Sequence, residues 1–97
     1  MDVIISESAQ AEILHAARYY EDEVEGLGKT FVTYVERSIA EIEDFPMASR
    51  IVRRDFRRLL VPRFPFGVIY RVDKNKIFVA AIMHLKREPF YWDQNQS

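Results

Sequence analysis

Apolar residues recur at helical spacing in the first half of this chain and at strand spacing in the second. Val3-Ile4-Ile5 is a β-branched run that predicts a short first strand. Ser6 follows as an N-cap, with Glu7 placed to favour the positive end of a helix. Ala9, Ile13, Ala16/Ala17 and Tyr20 then mark one face of an amphipathic helix of about four turns. It is expected to end in the acidic cluster Glu21–Glu25, with Gly26 as the residue just past its end. Gly26-Leu27-Gly28 leaves room only for a sharp connection. A second stripe, Leu27, Phe31, Tyr34/Val35, Ser38/Ile39, Ile42 and Phe45, stops at Pro46, whose ring cannot continue a helix. Two such helices form an antiparallel hairpin with a shared core, to which Tyr19, Tyr20, Phe31 and Tyr34 are assigned.

After the loop 46–50, Ile51 to Val61 interleaves arginines with apolar residues at period two and is read as one strand. Pro62 and Pro65 bracket a bend. In the next strand Phe64, Phe66, Val68, Tyr70 and Val72 share one face, with Gly67, Ile69 and Arg71 on the other. Asp73-Lys-Asn-Lys76 makes a tight polar turn into a strand with Ile77, Val79, Ala81 and Met83 on one face and Phe78, Ala80, Ile82 and His84 on the other. This strand is apolar on both sides. One helical hairpin covers one face of a sheet, so the second face needs another cover, and only residues 89–97 or an outside partner remain to supply it. The predicted fold is α+β in the order β-α-α-β-β-β, an antiparallel helical hairpin packed on one face of a small, mainly antiparallel sheet.

Composition changes this picture in three ways. A length of 97 residues makes a single domain of residues 1–97, able to bury roughly 60–65% of its unfolded surface. The absence of cysteine removes thiolate nucleophiles, disulfides and Cys-based zinc sites. His15 and His84 stand far apart without ligand-like spacing to acids, so neither a metal nor a cofactor is expected. No apolar run is long enough to span a bilayer, and the expected location is cytoplasmic. Charge is segregated: residues 1–48 carry three Lys/Arg against eleven Asp/Glu, and residues 49–97 carry eleven against four. Either one small body presents an acidic and a basic surface, or the two halves neutralise each other across packed elements.

Several short motifs occur in a telling order. They are Ser6-x-x-Ala9-x-x-Glu12-Ile13, Tyr19-Tyr20, Gly26-Leu-Gly28-x-x-Phe31, Phe45-Pro46, Phe56-Arg57-Arg58-Leu59, Phe64-Pro65-Phe66-x-x-x-Tyr70-Arg71-Val72 and Ala81-Ile82-x-His84-x-Lys86-Arg87-x-Pro89-x-x-Trp92. As an ordered set covering nearly the whole chain, they resemble the RelE/ParE superfamily of toxins from type II toxin–antitoxin modules, ParE-like more than RelE-like. The resemblance implies a growth-inhibiting toxin of the kind that stabilises plasmids, neutralised by a cognate antitoxin. It also implies one of two targets. ParE-like members are associated with DNA gyrase, and RelE-like members cleave mRNA on the ribosome without a metal. A homologue that only binds its antitoxin is the third reading. DNA would be met only indirectly, through the antitoxin complex.

For target binding the candidates are Arg53, Arg54, Arg57, Arg58, Arg87 and Trp92, cations beside an aromatic anchor. Cleavage of RNA needs a base for the 2′-hydroxyl, cations for the phosphorane and an acid for the leaving oxygen. Carried over from the resemblance, Arg58, Arg87 and Tyr91 fill such roles, with His84 as a candidate base. The sequence departs from the ribonuclease pattern at Leu60 and Gly67, where cations are expected, and this favours binding over cleavage. Phe78, Ala80, Ile82 and Tyr70 are the candidates for antitoxin contact. Trp92 is expected to pack on the sheet while Arg87 reaches outward.

Overall fold

The computed structural model describes residues 1–95. Strand β1 (Asp2–Ile5) leads into helices α1 (Glu7–Glu23) and α2 (Leu27–Asp44), followed by strands β2 (Arg50–Arg53), β3 (Phe56–Leu60), β4 (Phe66–Asp73) and β5 (Lys76–His84) and a short 3-10 turn, Tyr91–Asn95. The sheet order is β1-β5-β4-β3-β2. β1 runs parallel to β5, and the remaining pairs are antiparallel. The α+β class, the helical hairpin on one sheet face and the mainly antiparallel pairing all agree with the sequence. The stretch 51–61 differs: it is two strands, because the chain turns at Arg54, whose φ is 53°.

Local chemistry explains the element ends. Ser6 caps α1 by accepting the Ala9 N–H at 3.0 Å, which satisfies one of the donors a helix start leaves free. α1 ends at Glu23, inside the predicted acidic cluster, with Val24 rather than Gly26 closing it. Gly26, with φ 87°, is instead the N-cap of α2, and it has no side chain with which to cap. Glu21 takes over that role, its carboxylate accepting Gly26 N–H at 2.8 Å and Gly28 N–H at 3.0 Å. α2 stops at Asp44, one residue before the Phe45-Pro46 pair.

The main core lies between the hairpin and the sheet. It gathers Ala9, Ala16, Phe31, Val35, Ile39 and Ile42 from the helices with Phe66, Val68, Tyr70, Ile77, Val79 and Ile82 from the strands. Phe31, Phe64, Phe66 and Tyr20 meet edge-to-face or tilted with centroids 5.0–6.3 Å apart, a geometry that adds to simple burial. Tyr19 is the exception among the predicted core aromatics. It is 58% exposed, because α1 turns it away from the sheet, leaving it only an edge-on contact with Tyr20 at 5.4 Å between centroids. The second sheet face has its own smaller core of Phe56, Ile69, Ala80, Ala81, Met83 and Trp92. The chain's own C-terminal segment supplies that cover through Trp92, which is 2% exposed.

The register of β5 corrects the predicted faces. Ile69 pairs with Ala81 but Tyr70 pairs with Val79, so Ala80 is an extra residue, a β-bulge. One inserted residue reverses the side-chain alternation beyond it. Ile82 and His84 therefore join Ile77 and Val79 on the helix side, while Ala81 and Met83 join Phe78 and Ala80 on the second face. α1 stabilises the bulge: the Ser6 hydroxyl donates to the Ala80 carbonyl at 3.0 Å, and the Glu12 carboxylate accepts the Ile82 N–H at 2.8 Å.

Candidate functional site

Three neighbourhoods hold the residues that carry charge or chemistry. The first is an open groove of ≈330 Å³ on the second face, with Arg50, Arg58 and Arg87 on its walls and Ile69, Met83 and Trp92 among its apolar lining. Arg58 and Ile69 are paired across β3 and β4, and Arg50 pairs with Arg58 across β2 and β3. Gly67 sets the position of Arg58. A Cβ on Gly67 would lie 3.0 Å from Arg58 Cγ and 3.1 Å from its Cδ, so the stem of Arg58 lies across the glycine and its head is carried toward the groove. Gly67, read from sequence as a missing cation, is thus the floor on which a neighbouring cation rests.

Beside this groove the C-terminal segment is tied down by charge. Arg53 Nε donates to Asp93 Oδ2 at 2.8 Å, and its guanidinium lies 4.6 Å from the Phe90 ring centroid. Arg54 lies 3.7 Å from Asp93 Oδ1. These are the only ion pairs among the described residues. The guanidinia of Arg50, Arg58, Arg71 and Arg87 have no carboxylate within ion-pair distance there. Trp92 Nε1 and Arg71 Nε are buried without a hydrogen-bond partner in the same region.

A second groove, ≈600 Å³, opens between α1 and the end of β5. Its lining includes Glu12, His15, Tyr19, Phe66, His84 and Arg87. His84 packs edge-on against Phe66, with centroids 5.0 Å apart. Its Nδ1 accepts the Lys86 N–H at 3.0 Å, which leaves Nε2 as the donor in the neutral ring. Tyr91 closes the back of this region. Its hydroxyl donates to Glu12 Oε2, and the Arg87 guanidinium stacks 3.9 Å from its ring centroid. Burial raises the Tyr91 pKa above the ordinary phenol value, with the Glu12 hydrogen bond and charge acting in the same direction and Arg87 opposing them. Tyr91 is therefore a fixed hydrogen-bond donor.

The third neighbourhood is the loop between α2 and β2. Arg57 donates to the carbonyls of Met47 at 3.0 Å and Ser49 at 2.7 Å, and the Tyr70 hydroxyl donates to Pro46 O at 2.8 Å. Paired across β3 and β4, these two side chains pin the loop from the helix side of the sheet.

The sequence candidates sort accordingly. Arg53, Arg54, Arg58 and Arg87 gather around the second face. Arg57 is removed from that set, since its guanidinium serves loop carbonyls on the opposite side. Trp92 is packed away as scaffold, and its ring presents almost no surface. Among the proposed catalytic residues, Arg58 lies on the second face and His84 in the groove under α1, with the sheet between them. Arg87 borders both grooves, and Tyr91 is held by Glu12. Of the proposed antitoxin contacts, Tyr70, Ala80 and Ile82 are essentially fully buried, because the bulge and the helix packing enclose them. Phe78 keeps part of its surface. Sequence reading passed over Glu12 as a structural hub, although it stands in the Ser6-to-Ile13 motif. It passed over Arg50 and Arg71 because nothing in their spacing distinguishes them from the other arginines.

Among the described residues no group of three or more His, Asp or Glu is placed to hold a metal ion, and no helix is long and apolar enough to cross a membrane. Comparison with known proteins gives a consistent result. No curated protein matches the chain in sequence. A solved chain titled "Chromosomal ParDE TA system from P. aeruginosa" matches with a TM-score of 0.66 at 17% identity, over 89% of this chain and 97% of that one. At that identity the likeness establishes the shared fold alone. The family model described as the ParE toxin of the type II toxin–antitoxin system, parDE, matches residues 3–89, and on that match the chain belongs to the ParE toxin family.

Proposed function

We propose that this toxin arrests growth in the cytoplasm by binding DNA gyrase through its second sheet face, and that a cognate antitoxin neutralises it. The observation that carries this reading is the separation of the catalytic candidates. A metal-free ribonuclease needs base, acid and cations converging on one phosphate. Here Arg58 and His84 lie on opposite faces of the sheet, and Tyr91 is committed to Glu12. What remains together is a set of unpaired guanidinia around a groove with an apolar floor, the composition of a recognition surface. Membership of the ParE family supports a gyrase target and an antitoxin partner, and the structural neighbour, titled as a ParDE TA system, is in keeping with the antitoxin partner.

A supercoiling assay tests the proposal. Purified protein is expected to inhibit gyrase and to trap cleaved DNA on it. Unimpaired supercoiling at micromolar excess overturns the gyrase target. Arg58 and Arg87 do share one groove, which is the feature favouring the ribonuclease reading. Primer extension on translated message after induction tests that reading, with intact transcripts expected. Normal growth on induction of the chain alone would identify a homologue that only binds its antitoxin.

A further inference from the structure

We propose that Arg71, together with the exposed edge of Phe78, forms a receptor for a side-chain carboxylate of a protein partner. Arg71 stands on the second face of β4. Its guanidinium carbon lies 5.6 Å from the ring centroid of Phe56 on β3 and 5.4 Å from that of Phe78 on β5. Phe78 is its direct cross-strand partner, so the cation is held between two aromatic neighbours in one row across the sheet. Attraction to the ring faces holds a guanidinium in place without neutralising it.

The charge itself is unanswered. Among the described residues Arg71 takes part in no ion pair, and its Nε is buried with no hydrogen-bond partner. Asp73, two residues along the same face, is not within ion-pair distance. The rings flank the guanidinium and Nε is enclosed, so an approaching group meets the edge formed by the two Nη nitrogens, which stay accessible. That edge is a planar fork matched to two oxygens in one plane. An Arg fixed in advance also loses less freedom on binding, which raises affinity for a group that fits.

The surroundings specify the class of partner. Phe78 is half-buried, and Ile4, in register with it on the edge strand β1, is 45% exposed. An acid on Arg71 therefore has an apolar shelf at its side. This suits a polypeptide segment carrying Asp or Glu next to an aliphatic residue. A nucleic-acid backbone, in contrast, is served by cations in succession, and the row here places aromatic rings on both sides of Arg71. The site rests on the reading that the second face meets a protein, but it is testable without gyrase.

The experiment uses the intact isotope-labelled protein and follows the Arg71 Nε–H signal by NMR. The probes are a capped synthetic peptide alternating leucine with glutamate, the same peptide with glutamine for glutamate, and a short DNA duplex. The glutamate peptide is expected to shift the Arg71 signal and the Phe78 ring signals, and the glutamine peptide is not. Arg71→Lys, which keeps the charge and loses the fork, is expected to weaken the glutamate peptide about tenfold. An unmoved Arg71 signal, an equal response to glutamine, equal affinity of the lysine variant or a response to DNA alone overturns the proposal. The wild-type titration stands even if the variant folds poorly. Loss of gyrase inhibition with an intact Arg71 response would overturn the gyrase reading and leave this site standing.

Discussion

At the scale of single residues, the glycines show how much an absent side chain decides. Gly28 lies in the first turn of α2, close against the last turns of α1. A Cβ there would lie 2.4 Å from the Ala17 carbonyl oxygen and 3.1 Å from Glu21 Cβ. Backbone cannot give way as a side-chain tip does, so Gly28→Ala must push the two helices apart. The expected cost is about 2–3 kcal/mol, read as a fall in the urea midpoint at unchanged slope. Glu21→Ala is a separate check on the same corner. It removes the acceptor for two N–H groups at the start of α2 and is expected to cost about 1 kcal/mol. The sequence marked both glycines as the connection between the helices, but only Gly26 lies there, and Gly28 is already in the first turn of α2. Sequence alone could not show that Gly28 is needed for close approach while Gly26 is needed for its positive φ, because one depends on a contact and the other on a torsion. Gly67 carries the same lesson. Compared with a ribonuclease pattern it reads as a lost cation, but in three dimensions it seats the stem of Arg58.

At the scale of elements, the bulge in β5 explains most of what sequence periodicity misplaced. Alternation is a sound guide until one residue is inserted, and nothing in Val79-Ala80-Ala81-Ile82 announces the insertion. The signal lay elsewhere, in α1. Ser6 and Glu12 stand one on each side of Ala9, which is fully buried, and their side chains satisfy the carbonyl and the N–H of the bulged segment. The β2–β3 turn was illegible for a related reason, since Arg54 adopts a positive φ usually given to Gly or Asn. Glu12 also holds the C-terminal segment through Tyr91. Glu12→Ala leaves two part-buried donors unpaired and is expected to cost about 2–3 kcal/mol; Tyr91→Phe removes one bond and is expected to cost about 1 kcal/mol. The two differ in pH response. The folded-state pKa of Tyr91 is raised above the unfolded value of about 10. Its contribution is therefore fully present below about pH 10 and is lost as pH rises from there toward the folded pKa. Thermal melts across that alkaline range should fall more steeply for the wild type than for Tyr91→Phe. Parallel curves would mean that Tyr91 is not shielded as described.

At the scale of the whole molecule, the asymmetry of charge becomes an asymmetry of surfaces. The alternative, in which basic strands and acidic helices neutralise each other, required ion pairs between the two halves. The two pairs among the described residues both use Asp93, in the same half as Arg53 and Arg54. Among the described residues no ion pair joins the acidic residues of the hairpin to the arginines of the second face. The two sets approach one another at the grooves shared by Glu41 with Arg50 and Arg58 and by Glu12 with Arg87, yet the charge of each surface stays largely unneutralised. This separates stability from binding. Arg58 and Arg87 bear little of the fold's energy through ion pairing, so Arg58→Gln combined with Arg87→Gln is expected to change stability by no more than about 0.5 kcal/mol each. The same pair is expected to weaken gyrase inhibition at least tenfold, since rim and groove cations facing a partner govern encounter and register. Added salt should reproduce part of that loss in the wild type, because exposed charges are screened within a Debye length of about 8 Å at physiological ionic strength. It should have little further effect on the double variant. A supercoiling titration at two salt concentrations, run beside thermal melts, separates the outcomes. Inhibition that survives the double substitution would move the target surface away from this groove, toward α1 and the groove lined by Tyr19 and His84.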